Sequence, residues 1–425
     1  MPLIIAFIVL LVLLILSVHV AATLGVLALV LDKFFTPFPL YQAIGEITWS
    51  ASTDFVLLAI PLFVLLGEIL LKAGIADKVY DALDSWLSWL PGGMLHANIG
   101  TSAMFSATSG SSVATAATIS TVALPQSRKF GYNESFFAGS IAAGGTLGIL
   151  IPPSINLIVY GVLTNTSIPQ LFMAGIVPGI TLMIIFMFFI LIACAIWPQL
   201  GSKSRQYTWK YRIASLRHFI PVLFIFFVVI GTIYAGFATP TESAALGVLA
   251  AIVLAASYGK LRLSFFKAVI EGTMRTTAMI MLILIAAKFL NFILASIGLT
   301  EMLSKFLNEL GLTALGTLIV IICVYIVLGF FIETLSLMVI TIPIVTPIVI
   351  SLGYDPVWFG ILMILLIEMA LITPPVGLNL YVVQGVRQQG SITDVMVGSI
   401  PFVFMMFVMI IILIAFPGLT HILIP

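Results

Sequence analysis

The sequence predicts an all-α polytopic membrane protein made of two inverted repeats, each with a re-entrant helical hairpin and a broken transmembrane helix. Three observations predict it. The 425 residues are 62% hydrophobic and only 8% charged, against roughly 25% charged in soluble domains. Two apolar regions are interrupted near their middles, and two others carry adjacent prolines. The basic residues collect on one side of the membrane only if the interrupted regions turn back on themselves.

Taken in order, the run at 3–31 lacks a basic leader and outlasts a signal peptide's apolar core, so it predicts an anchor that is not cleaved. Spans of about 20 apolar residues follow at 55–72, 135–163, 170–198, 218–238, 241–258, 269–297, 356–386 and 394–420. Region 94–125 breaks at TSGSS (108–112) and region 312–347 at GFFIETLS (329–336); each fits two half-length helices. Amphipathic stretches precede them at 73–87 and 297–310. This divides the chain into an amino-terminal span and arm (1–52), a first repeat (53–200), a linking loop and span pair (201–268) and a second repeat (269–425). A net charge of +1 gives no reason to expect nucleic acid or a strongly anionic partner surface. Cys194 and Cys323 have neither disulfide nor metal spacing, and both read as small core residues.

Lysine and arginine set orientation. The most basic loop, within 199–217, is placed in the cytoplasm. With both broken regions treated as hairpins, Lys72, Lys78, Arg128, Lys129, Lys203, Arg205, Lys210, Arg212, Arg217, Lys260, Arg262, Lys267 and Arg387 share that face. Only Lys33 and Lys305 fall outside it, and Arg275 and Lys288 lie within a span. The halves echo each other at a spacing of 222 residues: Pro125 with Pro347, Gly131 with Gly353, Tyr132 with Tyr354, Phe137 with Phe359, and Pro152–Pro153 with Pro374–Pro375. One residue of insertion later, Asn156 matches Asn379, Gly175 matches Gly398 and Pro178 matches Pro401. Duplicated halves of opposite topology are a transporter signature.

The proline pairs in ILIPPSIN (149–156) and ITPPVGLN (372–379) carry the chemistry. Proline at position i deprives the carbonyl at i−4 of its helical donor. The first pair therefore frees the carbonyls of Gly148 and Ile149, and the second those of Ala370 and Leu371. Irregular backbone at membrane depth survives only when buried in protein or lining a wet cavity, and unwound carbonyls there can hold a hard cation. The hairpin tips complete such sites with the hydroxyls of SATSGSS (106–112) and with Gly329, Glu333, Thr334 and Ser336. Ser154, Asn156 and Asn379 follow the breaks and can hydrogen-bond a polar solute. Against this stands the blander role of Ser and Thr in membrane helices, bonding back to their own backbone.

Glu68, Glu333, Glu368 and Lys288 are intramembrane charges, hence functional candidates, with a structural ion pair as the alternative. Glu242 reads as the cap of the helix after it. The scattered histidines, His19, His96, His218 and His421, suggest neither a metal site nor a relay.

The chain resembles the large membrane subunit of tripartite ATP-independent periplasmic (TRAP) transporters over nearly its whole length. The resemblance is carried by PGGMLHANIGTSAMFSATSGSSVATAATIS (91–120), GGTLGILIPPSINLIVYG (144–161), TPTESAALG (239–247), ETLSLMVITIPIVTP (333–347) and ITPPVGLNLYVVQG (372–385). It implies an elevator-type secondary transporter of the bacterial inner membrane, not an enzyme and without an organic cofactor. Sodium ions would drive uptake of an organic acid, either a sialic acid such as N-acetylneuraminate or a C4-dicarboxylate. Its implied partners are a small four-helix membrane subunit, expected as a separate chain, and a periplasmic substrate-binding protein. The resemblance places one sodium site among Ser106, Ser109, Ser111, Gly145, Gly148 and Ile149. A second falls among Gly329, Glu333, Thr334, Ala370, Leu371, Thr373 and Gly377, with substrate near Ser109, Ser154, Asn156 and Asn379. The competing readings are an intramembrane hydrolase, which lacks a base placed for TSGSS, and an ion channel built on the same hairpins.

Overall fold

The computed structural model describes residues 2–16, 18–202, 206–299, 302, 311–330 and 332–424. Among them, seven helices are long and apolar enough to cross a bilayer, eight if one bent pair is taken as a single span. The amino-terminal run departs from expectation. Instead of one span over 3–31 it forms α1 (Pro2–Ile15) and α2 (Val20–Phe35), with Val18 and His19 outside both helices. Neither piece alone reaches the ~20 residues a crossing needs. The connecting arm is helical too, as α3 (Ile44–Ser52).

The span predicted at 55–72 is Phe55–Ala73, ending in α4 (Ala59–Ala73); the amphipathic stretch predicted at 73–87 is α5 (Ile75–Leu87). The first hairpin is α6 (Met94–Ser109) and α7 (Ser112–Phe130), turned by Gly110 at φ +60, a left-handed conformation that favours glycine. The first proline pair splits its span into α8 (Glu134–Leu150) and α9 (Ile155–Thr164), bent by 42°. Next comes α10 (Ile168–Ile196). The linking region holds α11 (Trp209–Ser215), α12 (Ile220–Phe226) and α13 (Thr232–Tyr234), a span with a π turn at Phe227–Gly231. It continues in α14 (Pro240–Ser257), which opens on a capping box between Thr239 and Glu242, the capping role expected of Glu242.

The second half begins with α15 (Leu263–Ser296). Most of the amphipathic stretch at 297–310 lies outside the described residues, as do Lys203, Arg205 and Lys305. The second hairpin is α16 (Ala314–Gly329) and α17 (Thr334–Ser351), followed by α18 (Pro356–Ala370), α19 (Leu378–Arg387) and α20 (Ile392–Ala415). The run α16 to α20 repeats α6 to α10 down to its caps. Asn133 and Asp355 each accept a hydrogen bond from the backbone N–H three residues on, from Phe136 at 2.9 Å and from Trp358 at 2.7 Å. Asn165 and Gln388 both adopt positive φ after the short helix, and the Pro152–Pro153 and Pro374–Pro375 bonds are both cis.

Two packing groups result. α2, α3, α4 and α14 gather on or around α15 and α4, whereas α8 is the centre of the other group, enclosed by α6, α7 and α20. The α8–α20 crossing is close because Gly139 packs on the Gly398 backbone and Gly398 on that of Ser135, the small-residue packing of membrane helices. One end of this group is tied by buried Arg387, 7% exposed, which donates to Glu134 at 2.7 Å and Asp394 at 3.1 Å. Cys194 is buried as expected; Cys323 is exposed on α16, because that helix turns one side away from the protein.

Candidate functional site

The first tip and the first break touch. A Cβ on Gly148 would stand 2.9 Å from Ser111 O, Ser112 N and Ser112 Cα, and one on Gly110 would stand 2.9 Å from Pro153 O. Only glycines let the backbones approach this closely. At the tip, Ser111 caps α7 by accepting from Ala114 N–H at 3.3 Å, and the Ser109 and Thr115 hydroxyls share a hydrogen bond of 2.9 Å. Ser106 donates to Ser102 O of its own helix, the backbone-bonding role that competes with ligation. Residues 151–154 are all buried, and Ser154 accepts from Leu157 N–H at 3.3 Å. Among the described residues, no backbone donor reaches the carbonyls of Gly148 and Ile149, as the proline argument requires.

The second break is built differently. Ala370 O accepts from Thr373 N–H at 3.3 Å and Leu371 O from Asn379 N–H at 3.0 Å, so these two carbonyls are not left without donors as expected. The break is longer, 371–377 against 151–154, and gives the chain room to curl back on itself. Pro375, Val376 and Leu378 are exposed. Thr373 donates to Met369 O at 2.6 Å, again bonding within its own turn. A Cβ on Gly377, at φ +54, would stand 3.1 Å from Leu371 O, and Gly329 packs on the Ala370 side chain. At the tip, the Glu333 carboxylate caps α17. It accepts from Leu335 and Ser336 N–H at 3.1 Å each, from the Thr334 hydroxyl at 2.9 Å and from the Ser336 hydroxyl at 3.0 Å.

Both tips open on one cavity of ≈ 550 Å³. Ser109, Ser111, Ile149, Asn156, Glu333, Thr334 and Leu371 all line it, so residues from both predicted ion sites and the predicted substrate site converge there. Two substrate nominees do not. Ser154 is buried in its capping role, and Asn379, fully buried, points at α8 and donates to Ala142 O at 3.4 Å. Its amide nitrogen lies 3.0 Å from where Gly145 would carry a Cβ, so Asn379 and Gly145 bind the two halves together behind the cavity.

Several residues beyond the predicted ion-site sets complete the site. Ser112 lines the cavity and donates to Glu368 on α18. Glu368 is 1% exposed, and its other oxygen has no hydrogen-bond partner among the described residues. Asn379 Oδ1 and Asn156 Nδ2 are likewise buried without partners. The opposite wall is supplied by α4, α15 and the α1–α2 break, through Glu68, Thr276 and His19. Gly272 of α15 faces the Glu68 carboxylate, 2.7 Å from a would-be Cβ. Intramembrane charge was the available signal for Glu68 and Glu368, and the hydroxyl-rich 106–112 stretch for Ser112; Thr276 and His19 carried none. Lys288 takes the structural alternative, paired with Asp54 at 3.3 Å.

Paired hairpins and split helices around one cavity define the architecture of a membrane transporter. The same fold is seen in the crystal structure of the Alcanivorax borkumensis YdaH transporter, with a TM-score of 0.62 over 97% of this chain and 99% of that one at 15% identity. Neisseria gonorrhoeae MtrF matches with a TM-score of 0.58 over 98% and 94% at 14% identity. Residues 7–419 match the family of the DctM component of tripartite ATP-independent periplasmic transporters, and the chain belongs to that family. It is 36% identical to the C4-dicarboxylate TRAP transporter large permease protein DctM of Pseudomonas aeruginosa, over 80% of this chain and 79% of that one. It is 33% identical to the sialic acid TRAP transporter large permease protein SiaM of Vibrio cholerae, over 86% of each. The isethionate TRAP transporter permease protein DctMQ of Oleidesulfovibrio alaskensis is 33% identical over 88% of this chain but only 59% of its own length. These relatives are permeases and not enzymes, which disfavours the hydrolase reading.

Proposed function

We propose that this chain is the large permease subunit of a sodium-coupled transporter that takes an organic acid across the bacterial inner membrane. A periplasmic binding protein delivers the substrate, and a small membrane subunit on a separate chain completes the permease. The observation that carries the reading is the single cavity onto which both tips open. Its described lining holds two carboxylates, Glu68 and Glu333, with His19 as its one basic-type side chain and no lysine or arginine. An organic anion entering such a site needs co-bound cations, because a buried charge without a partner is strongly disfavoured. The carbonyls of Gly148 and Ile149 with the Ser109–Ser111 tip offer oxygen to one sodium ion. Glu333, Thr334 and the remaining lone pairs of Ala370 and Leu371 offer it to another. Each sodium charge moving inward gains ~2.3 kcal/mol per 100 mV, so two sodium ions more than offset the charge of a monoanion.

The packing supports an elevator. The hairpins and broken helices carry the cavity's polar wall, and α2, α3, α4, α14 and α15 form the scaffold against which they slide. The inverted topology and the cytoplasmic placement of loop 199–217 follow from the basic residues. Relatives named for sialic acid and C4-dicarboxylates support an organic acid of one of these classes as the substrate. Proteoliposome uptake with the small subunit, the binding protein and these acids tests the reading. Accumulation that saturates and requires both a sodium gradient and the binding protein supports it; accumulation without sodium refutes the coupling.

A further inference from the structure

One helical turn along α4 from the central cavity, three span ends meet around a second pocket. α4 finishes just after Lys72, α14 finishes at Ser257 and α15 begins at Leu263. All three belong to bilayer-length helices, so their junction lies at a membrane–water boundary. The pocket, ≈ 540 Å³, is lined by Lys72, Tyr258, Lys260, Arg262, Ser264 and Phe265 among others, with no carboxylate. Among the described residues, none of its three cations has an ion-pair partner. Gly259, at φ +65, reverses the chain between α14 and α15, which brings Lys260 and Arg262 back beside Lys72. Lys78 places its ammonium 4.0 Å from the centre of the Tyr258 ring, adding a fourth positive charge at the rim. The first turn of α15 has no side-chain cap, so the positive end of a 34-residue helix also faces this junction. Beside the cations, Leu261, Leu263 and Phe266 are exposed, Leu263 to 88%.

We propose that this pocket binds the phosphate headgroup of an anionic phospholipid. Unpaired cations beside exposed apolar side chains at a bilayer boundary match both halves of such a ligand, and basic pockets between membrane helices are the recognised form of this site. A soluble phosphate would use the cations and leave Leu261, Leu263 and Phe266 without a role. Lys72 stands one helical turn from Glu68 of the central cavity, so the lipid would grip the same helix that forms the scaffold wall.

Native mass spectrometry tests this on the purified chain, alone and with its small subunit. The probes are phosphatidylglycerol, cardiolipin, phosphatidylcholine and inorganic phosphate. The triple variant Lys72→Gln/Lys260→Gln/Arg262→Gln is compared with the equally neutralised Lys33→Gln/Lys210→Gln/Arg217→Gln. Expected are retained anionic lipid in wild type and control, and a loss of about 100-fold in affinity in the first triple variant. The charge-preserving Lys72→Arg/Lys260→Arg/Arg262→Lys should keep the lipid, which separates charge loss from misfolding. Equal retention of phosphatidylcholine, wild-type binding by the neutral variant, or displacement by inorganic phosphate would each overturn the proposal. Loss of the lipid on adding the small subunit would overturn it too, marking the patch as a docking face. None of these outcomes depends on sodium coupling.

Discussion

Gly148→Ala probes the contact between the first tip and the first break. The added methyl would meet three main-chain atoms, Ser111 O, Ser112 N and Ser112 Cα, each at 2.9 Å, where ordinary contact starts at 3.4 Å. No flexible side chain is available to move aside, so the tip must retreat by roughly 0.5 Å. Overpacking of this kind costs about 1–3 kcal/mol. If the gap between tip and break holds a cation, the loss falls on ion binding, because hard cations hold oxygens at about 2.3–2.6 Å in their larger sites. A penalty of only 1.4 kcal/mol raises the half-saturating ion concentration about tenfold. Uptake should therefore need about five- to a hundredfold more sodium, while the protein still inserts and purifies. Gly25→Ala and Gly231→Ala, where a Cβ meets nothing within 4 Å, serve as controls and should leave the sodium curve in place. A Gly148→Ala protein with the wild-type sodium curve would refute the assignment of an ion to this gap.

Asn156→Ala and Ser109→Ala remove cavity-lining groups and should weaken substrate uptake at least several-fold with little change in melting temperature; wild-type uptake removes them from the site. Asn379→Ala should instead lower both uptake and thermal stability, because the side chain ties α19 to α8. Glu368→Ala strands the buried Ser112 hydroxyl and leaves a void, a loss of about 2–4 kcal/mol, whereas Glu368→Gln keeps an acceptor for Ser112 and should unfold close to wild type. Equal destabilisation by the two would contradict the hydrogen-bonding role. Arg387→Ala should destabilise by about 1–3 kcal/mol, below the fully buried range because Glu134 and Asp394 remain partly solvated. Adding Glu134→Gln and Asp394→Asn should recover part of that in a detergent melt.

The features most legible in the sequence were those written by glycine and proline. Pro152–Pro153 and Pro374–Pro375 marked both breaks, Gly110 the first tip, and Gly131 and Gly353 the turns that keep the halves in register, because these residues restrict the backbone locally. What stayed hidden depended on partners distant in the chain. Ser112 finds Glu368 across 256 positions, and no local pattern announces that pairing. The interruption of the first apolar run was equally silent, since neither proline nor glycine marks it. His19 is lodged in the cavity wall, and that position is known only once α4 and α15 are in place.

The same limit explains why the halves agree in shape and differ in chemistry. Proline fixes only which helical donor is lost, not what replaces it. At the first break, four buried residues are too few to fold back, so the carbonyls of Gly148 and Ile149 stay available beside the tip. At the second, seven residues let Thr373 and Asn379 supply N–H groups to Ala370 and Leu371, which leaves one lone pair on each oxygen instead of two. The second tip offsets this with a carboxylate where the first has only hydroxyls. Glu333 brings a full negative charge to the cavity, though the hydrogen bonds of its cap already engage both of its oxygens. An ion held there would depend mainly on charge, and one held at the first tip on backbone geometry. Raising ionic strength with a large inert cation should thus weaken the second site more than the first, while a backbone substitution such as Gly148→Ala should act on the first alone.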